Sequence, residues 1–337
     1  MNAQTIPAPS AADSILQQVM QRLGSAPSAQ VFATHFLRRI SADDLAARSV
    51  DDWTGMIRGM LDFVRVRKPG VPNVRVFNPA RESDGYETTH TVVDIMTDDM
   101  SFLVDSVGIA IDQAGLGVHA VIHPVYGVER DPGGHVLRLA AEGSGGKSES
   151  LMHFEIDRMA EPSERAQLEK SIRNVLEDVA QCYDDWASMR QTMLSIADDM
   201  GKQKLPISAE GVAEAQEFLR WAAADHFTFL GYREYAVANV GGEEVLQAVE
   251  GSGLGILRGI ERSLAPRSLK SLAARDLPQS GALDAIILTK TNARASVHRP
   301  GHMDYIGVLE FDASGVPTVE HRFLGDRKST RLNSSHT

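Results

Sequence analysis

The chain has 337 residues, of which 43% are hydrophobic and 23% charged, a balance typical of globular proteins. This length predicts two domains, with three as the alternative, and the composition argues against wholesale disorder and fibrous structure. The net charge of −11 argues against a nucleic-acid partner, and the single cysteine, Cys182, cannot form an internal disulfide. The N-terminus lacks the pattern of a signal peptide, and no apolar run reaches the roughly 20 residues of a membrane span. We therefore expect a cytoplasmic protein without membrane or nucleic-acid partners.

The N-terminal quarter predicts helices. Residues 1–29 are rich in Pro, Ala, Ser and Gln and predict a flexible lead-in with one short helix. Residues 30–85 predict a helical segment, because apolar side chains recur there at helical spacing until the cluster of Pro69, Gly70 and Pro72.

From residue 86 onwards the pattern alternates between strands and helices. One helix follows the first strand-like run, and another, starting at Pro162, follows the last and keeps a 3.6-residue period over about seven turns. For residues 86–203 this order predicts a small α+β sandwich, with helices on one face of an antiparallel sheet. The strand-like runs are Thr88–Met96, Val118–Tyr126, His135–Leu139 and Leu151–Ile156.

Residues 204–325 predict a second α+β domain of mixed, strand-rich character. Ser208 can cap a helix, and five strand-like runs follow it. Residues 326–337 are polar and unpatterned. We interpret them as a non-native tail that cuts the natural chain short.

A glycine-rich segment, Gly251–Gly259, invites comparison with a dinucleotide-binding fingerprint. That fingerprint needs G-x-G-x-x-G at the start of a helix, so that the pyrophosphate can bind the helical N–H groups. Here the third glycine comes one residue late, and Pro266 interrupts any helix soon afterwards. We interpret the segment as a flexible turn and expect no cofactor site.

Histidine pairs and Cys182 give no metal or catalytic site. His298 and His302 are separated by Pro300 and Gly301, which exclude the helix that would bring both rings onto one face. His119 and His123 lie on a predicted strand, where residues four apart are roughly 13 Å apart. Cys182 falls on the apolar stripe of a helix, where an inert buried thiol is expected. We expect no metal ligands and no catalytic residues.

Asp94, Asp98 and Asp99 surround the first strand–helix junction. The favoured interpretation is that Asp98 or Asp99 caps the helix. The alternative is a small-ligand site, in which helical N–H groups bind a carboxylate and the acidic side chains bind an ammonium group. Such a combination suits an amino acid.

Four separate segments resemble the N-terminal region of the large bacterial NAD-specific glutamate dehydrogenases. They occur in the order expected for that family, and together they are more specific than any single motif. The resemblance extends from about Val31 to Gly325. The segments are Asp98–Val107, Ser150–Arg158, Asp225–Tyr235 and Thr289–Pro300.

The resemblance implies that residues 86–203 form an ACT-like, ferredoxin-like sandwich. It also implies a long homo-oligomeric parent that oxidises L-glutamate with NAD, in a catalytic region that this chain lacks. Amino-acid effectors of ACT domains commonly bind at the first strand–helix junction. The corresponding effector-binding candidates are Asp98, Asp99, Met100, Ser101 and Phe102.

Three functions remain open from the sequence. The chain is interpreted first as the regulatory and assembly portion of such a dehydrogenase, which acts on its own catalytic region and needs NAD only there. The alternatives are a free-standing ACT-type sensor of an amino acid and a purely structural oligomerisation module. A capping aspartate and a ligand-binding aspartate give the same sequence pattern, so the pattern does not separate these functions.

Overall fold

The chain folds into two compact units, residues 1–176 and 177–337, and the division falls inside one long helix. The structure, a computed structural model, describes residues 11–202, 207–269 and 285–327. The predicted boundary at residue 203 therefore differs from the observed division. The reason is that side chains of the long helix from Met189 onwards already belong to the core of the second unit.

Helices at the start of the chain form a layer with a common core. Ser41 and Ser49 cap two of these helices, because each side chain accepts a hydrogen bond from an N–H group three residues later. Val19 is fully buried in this layer, so the predicted lead-in contains a packed helix; residues 1–10 lie outside the described residues. The helices are α1 (Ala11–Leu23), α2 (Pro27–Leu37), α3 (Ala42–Ala46) and α4 (Val50–Val64).

An antiparallel sheet forms the centre of the first unit, which confirms the predicted α+β class. Its elements are β1 (Asn73–Phe77), α5 (Arg81–Asp84), β2 (Thr91–Asp98), α6 (Leu103–Gln113), β3 (Val118–Ile122), β4 (Val125–Arg130), β5 (Val136–Ala141), β6 (Lys147–Ile156) and α7 (Pro162–Met200). The strand order is β1-β2-β6-β4-β5, and β3 also pairs with β6. In a β-α-β-β-α-β sandwich the last strand completes the sheet. Here the strand beside β2 is β1, which comes before the β-α-β-β part of the chain.

Two sequence predictions need correction in this sheet. The segment 30–85 is not only helical, because it includes β1. The strand predicted over 118–126 is broken at Pro124, which has no N–H group to donate to a neighbouring strand. As a result, β3 and β4 pair with opposite ends of β6.

The centre of this sheet is buried on both faces, whereas the predicted sandwich has helices on one face only. The central strands β2 and β6 are buried almost continuously, without the alternation of a half-exposed strand. On one face, Met96 and Leu151 share a core with Phe32 and Trp53 of the N-terminal helices. This face also carries buried charged residues.

The second unit contains another antiparallel sheet packed against helices. Its elements are α8 (Ala209–Trp221), a π-helical turn (Ala222–His226), β7 (Phe227–Val240), β8 (Glu243–Ala248), β9 (Leu254–Gly255), a 3₁₀ turn (Ile260–Arg262), β10 (Arg267–Ser268), β11 (Ile286–Arg294), β12 (His302–Phe311) and β13 (Pro317–Arg327). The strand order is β10-β8-β7-β13-β12-β11, and β9 also pairs with β7. Ser208 caps α8 as predicted, by accepting a hydrogen bond from the Gly211 N–H group. Residues of α7, α8, β7, β12 and β13 form the main core.

The glycine-rich segment is not the flexible turn that the sequence predicted. Its residues include β9, which pairs with β7, and they enclose the buried side chain of Arg233. Arg233 donates to the carbonyl oxygens of Leu257 and Arg258. A Cβ atom at Gly253 would overlap the Leu257 carbonyl, so glycine is required by this close approach.

Two further differences concern single segments. Trp186 lies on the predicted apolar stripe of α7 but is 43% exposed, although the stripe residues on either side of it are buried. The predicted non-native tail starts at residue 326, yet β13 extends to Arg327 and pairs there with Phe227. Residues 328–337 lie outside the described residues.

A matched pair of glycine substitutions in α4 tests the close packing of the first unit. A Cβ atom at Gly55 would overlap the backbone carbonyl of Gly85, whereas one at Gly59 would have only the Arg75 side chain, 4.0 Å away, as a neighbour. We expect Gly55→Ala to lower the free energy of unfolding by about 1–3 kcal/mol because of overpacking. Gly59→Ala should raise it by about 0.5–1 kcal/mol through helix propensity. Urea unfolding of both variants measures the difference, and equal effects would contradict the packing.

Candidate functional site

The junction between β2 and α6 contains the five candidate effector-binding residues. β2 ends at Asp98, and α6 begins at Leu103 after Phe102, which has φ 72°. The N-cap position, Phe102, makes no side-chain capping bond. The prediction that Asp98 or Asp99 caps the helix is therefore wrong, because both carboxylates bond to other groups.

Asp98 forms ion pairs with two cationic side chains of the protein. Its carboxylate lies 2.6 Å from Arg67 Nη2 and 2.7 Å from Lys147 Nζ. Burial alone would raise the pKa of Asp98, but hydrogen bonds from Lys147 and Arg67 outweigh it and lower the pKa. Asp98 is thus an ionised structural group rather than a free acceptor for a ligand.

Asp99 is more available than Asp98. Its side chain is exposed and accepts a hydrogen bond from the Ser150 hydroxyl group, while its N–H group donates to the Ser148 carbonyl. His123 Nε2 lies 3.1 Å from the same Ser150 oxygen. Of the remaining candidates, Ser101 is exposed, and Met100 and Phe102 are half-buried.

A buried ion-pair network extends from Asp98 under the N-terminal helices. The Arg67 and Glu149 side chains are each 2% exposed and lie 2.7 Å apart. Glu149 also accepts two hydrogen bonds of 2.8 Å from Arg130. Burial would raise the pKa of Glu149, but hydrogen bonds from Arg130 and Arg67 lower it. The two arginines therefore keep this carboxylate charged in the interior.

A second buried network centres on Asp94 and His153, which are direct partners in the register of β2 and β6. Both side chains are fully buried, with Nδ1 of His153 2.6 Å from Asp94 Oδ1. Arg75 donates to the other Asp94 oxygen at 2.8 Å. Burial would raise the pKa of Asp94, but the charge of His153 and then that of Arg75 lower it. Conversely, burial would lower the pKa of His153, and the Asp94 charge raises it.

Glu155 connects this network to the N-terminal helices. It lies 3.5 Å from His153 Nε2 and 3.2 Å from His90 Nδ1, and it accepts hydrogen bonds from Arg48, the residue before the N-cap of α4. Burial would raise the pKa of Glu155, but the hydrogen bonds from His153 and Arg48 lower it to about 2. The Arg48 guanidinium also lies 5.2 Å from the Trp53 ring centroid. These contacts attach the helical layer to the sheet.

Asp94 lies in the middle of β2 and not at the junction where the sequence predicts it. His153 and Glu155 were not predicted, although their spacing of two residues puts both on one face of a strand. That spacing is the sequence feature that could have indicated a buried charged network. It was not sufficient, because the sequence does not give the register that places His153 opposite Asp94.

Three other features bear on function in the described residues: metal ligands, the thiol of Cys182 and the apolar character of the helices. Over residues 11–202, 207–269 and 285–327, no cluster of three metal-ligating side chains is present. Cys182 is buried as predicted, and its burial raises the pKa of the thiol to about 12. Within these same ranges, no helix combines the length and the apolar character needed to cross a bilayer.

Two substitutions next to the same carboxylate test the buried network. Arg67 and Lys147 both pair with Asp98, but the Arg67 side chain is 2% exposed and that of Lys147 is 66% exposed. We expect Arg67→Ala to cost about 3–5 kcal/mol, because it leaves the buried Glu149 carboxylate without one of its cations. Lys147→Ala should cost less than about 1 kcal/mol. Chemical denaturation measures both values, and a small effect of Arg67→Ala would contradict the assignment.

Comparisons with known proteins agree with this architecture. The profile of the glutamate dehydrogenase ACT1 domain matches residues 32–172. The NAD-specific glutamate dehydrogenase of Pseudomonas aeruginosa is 34% identical over 94% of this chain, and that of Halomonas elongata is 33% identical over 95%. The Mycobacterium tuberculosis enzyme is 28% identical over 66%.

The chain spans 20% of the length of the Pseudomonas and Halomonas relatives and 13% of the Mycobacterium relative. The ACT1 match includes the second half of α2, α3, α4, the whole first sheet and the start of α7. Most of the helical layer is therefore matched in one domain with the sheet, in agreement with the ion pair that joins them. The chain thus contains a glutamate dehydrogenase ACT1 domain and corresponds, over nearly its whole length, to one fifth of NAD-specific glutamate dehydrogenases.

Proposed function

We propose that this chain is the regulatory and assembly portion of an NAD-dependent glutamate dehydrogenase whose catalytic region lies outside it. The observation that carries this proposal is the ACT1 match over residues 32–172, together with the small share of each relative that the chain spans. The parent enzyme would convert L-glutamate, NAD⁺ and water to 2-oxoglutarate, ammonium, NADH and a proton. Its partners would be its own catalytic region and further copies of the subunit, in the cytoplasm.

Two features support a non-catalytic role for the chain itself. The glycine-rich segment encloses Arg233 and leads into a 3₁₀ turn, so its glycines serve a backbone contact rather than a phosphate-binding helix. In the first unit, the buried carboxylates Asp94, Glu149 and Glu155 are bonded to arginine or histidine. We therefore propose that the chain binds no NAD and turns over no glutamate.

We propose the amino-acid effector site at the start of α6, and the contacts of the five candidate residues support different roles for them. Asp98 is paired with Arg67 and Lys147, so it would support the site rather than bind the ligand. Asp99 is the exposed carboxylate and would bind the ammonium group. The first N–H groups of a helix have no intrahelical partners, and those of α6 would bind the ligand carboxylate. Met100, Ser101 and Phe102 would contact its side chain.

A thermal-unfolding panel with the twenty amino acids tests this proposal. We expect one amino acid to raise the midpoint with increasing concentration, as binding to the folded state alone requires. Asp99→Asn should abolish the shift. Asp112→Asn, which neutralises another exposed carboxylate at the far end of α6, should leave it unchanged.

The outcomes separate the functions. A shift that survives Asp99→Asn would move the effector away from this junction, and no shift with any amino acid would favour a structural assembly module. The same purified chain should produce no NADH from glutamate and NAD⁺. Glutamate-dependent NADH formation would overturn the proposal that the catalytic region lies elsewhere.

A further inference from the structure

The second sheet carries buried charged side chains on one face. Alternation along β7, β12 and β13 places Tyr232, Ile306 and Phe323 on the face that packs against α7 and α8. The neighbouring residues Arg233 and Arg322 therefore point to the opposite face. Arg233 is 0% exposed and Arg322 is 2% exposed, so both cations are buried in the folded unit.

Two guanidinium groups on this face, those of Arg267 and Arg322, share one carboxylate. Glu320, which is 0% exposed, accepts hydrogen bonds from Arg267 Nη1 at 2.8 Å and from Arg322 Nε at 2.9 Å, and another from the Tyr305 hydroxyl group. Within the described residues, the Arg233 side chain donates hydrogen bonds only to backbone carbonyl oxygens. The cluster therefore has an excess of positive charge, and buried charge without a counter-ion is costly.

A cavity of about 410 Å³ opens beside this cluster. Its walls include Arg322, Arg267 and Tyr305. Arg322 Nη2 lies 2.9 Å from Glu320 Oε2 as an ion pair, but in the described part of the chain it makes no hydrogen bond of proper geometry. Arg322 is held in place from its other side, because its Nη1 donates to the Ala265 carbonyl and its guanidinium lies 3.6 Å from the Tyr235 ring centroid.

We propose that this cavity binds a small organic anion through one carboxylate or phosphate group. The partly exposed Arg267 guanidinium would donate to the oxyanion, in the charge-assisted geometry that guanidinium groups favour, and Arg322 beside it would add its positive charge. The Leu264 and Pro266 side chains and the Tyr305 ring give the cavity an apolar wall for the carbon part of the ligand. The volume is in the range of small-molecule sites. This site is in the second unit and does not depend on the effector site proposed at α6.

Isothermal titration calorimetry of the full 337-residue chain tests the proposal. Succinate and inorganic phosphate are the two probes, and potassium chloride keeps the ionic strength constant so that non-specific screening is the same in each titration. We expect saturable binding of at least one probe. Tighter binding of succinate would identify a carboxylate ligand, and tighter binding of phosphate a phosphate ester.

A matched pair of arginine variants locates the binding. Arg267→Gln removes one cation from the cavity while Arg322 and Tyr305 still bond Glu320, so the unit should keep its fold, and the affinity should fall about tenfold or more. Arg220→Gln removes one exposed cation of α8 in the same unit and should leave the affinity unchanged. Absence of saturable binding by both probes, or equal affinity in Arg267→Gln and the unmodified chain, would overturn the proposal.

Discussion

The pairing of Asp94 with His153 is the interaction on which the architecture of the first unit depends. The two residues face each other across β2 and β6, and neither has any contact with water. A slip of β6 by one residue would move His153 and Glu155 to the opposite face of the sheet and leave Asp94 and Arg48 without these partners. Glu155, which contacts His153, also binds Arg48 and so connects the helical layer to the sheet. This ion pair adds to the apolar core that the layer and the sheet share.

Much of the fold could be predicted from local patterns. The period of α7, the Ser208 cap and the five strands of the second unit that carry apolar runs depend on neighbouring residues, and the structure confirms them. The failures have non-local causes. β1 is a strand because it pairs with the edge of β2. The glycine-rich segment is ordered because it encloses the side chain of Arg233, which lies outside the segment in the sequence. Neither partner is visible in a short window of sequence.

The strand–helix junction was predictable from the sequence, but the partners of its carboxylates were not. The junction at Asp98–Phe102 is where the sequence placed it, yet a sequence cannot show that Asp98 is paired with Arg67, 31 residues away, while Asp99 remains exposed. The two units also differ in their buried charge. In the first unit, acidic and basic side chains form closed networks, whereas in the second Arg267 and Arg322 share Glu320 and Arg233 bonds only to carbonyl oxygens in the described residues. A closed network stabilises a fold, and an open one leaves a place for an anion.

The pH dependence of unfolding tests the central role of the Asp94–His153 pair most directly. The folded-state pKa of His153 is raised above its usual value of 6.5, so its stabilisation is present below pH 6.5 and is lost as pH rises through the folded pKa. The free energy of unfolding should therefore fall above pH 6.5 in the unmodified chain and in the control His135→Gln, an exposed histidine. In His153→Gln this fall should be absent. Parallel profiles for all three proteins would contradict the account.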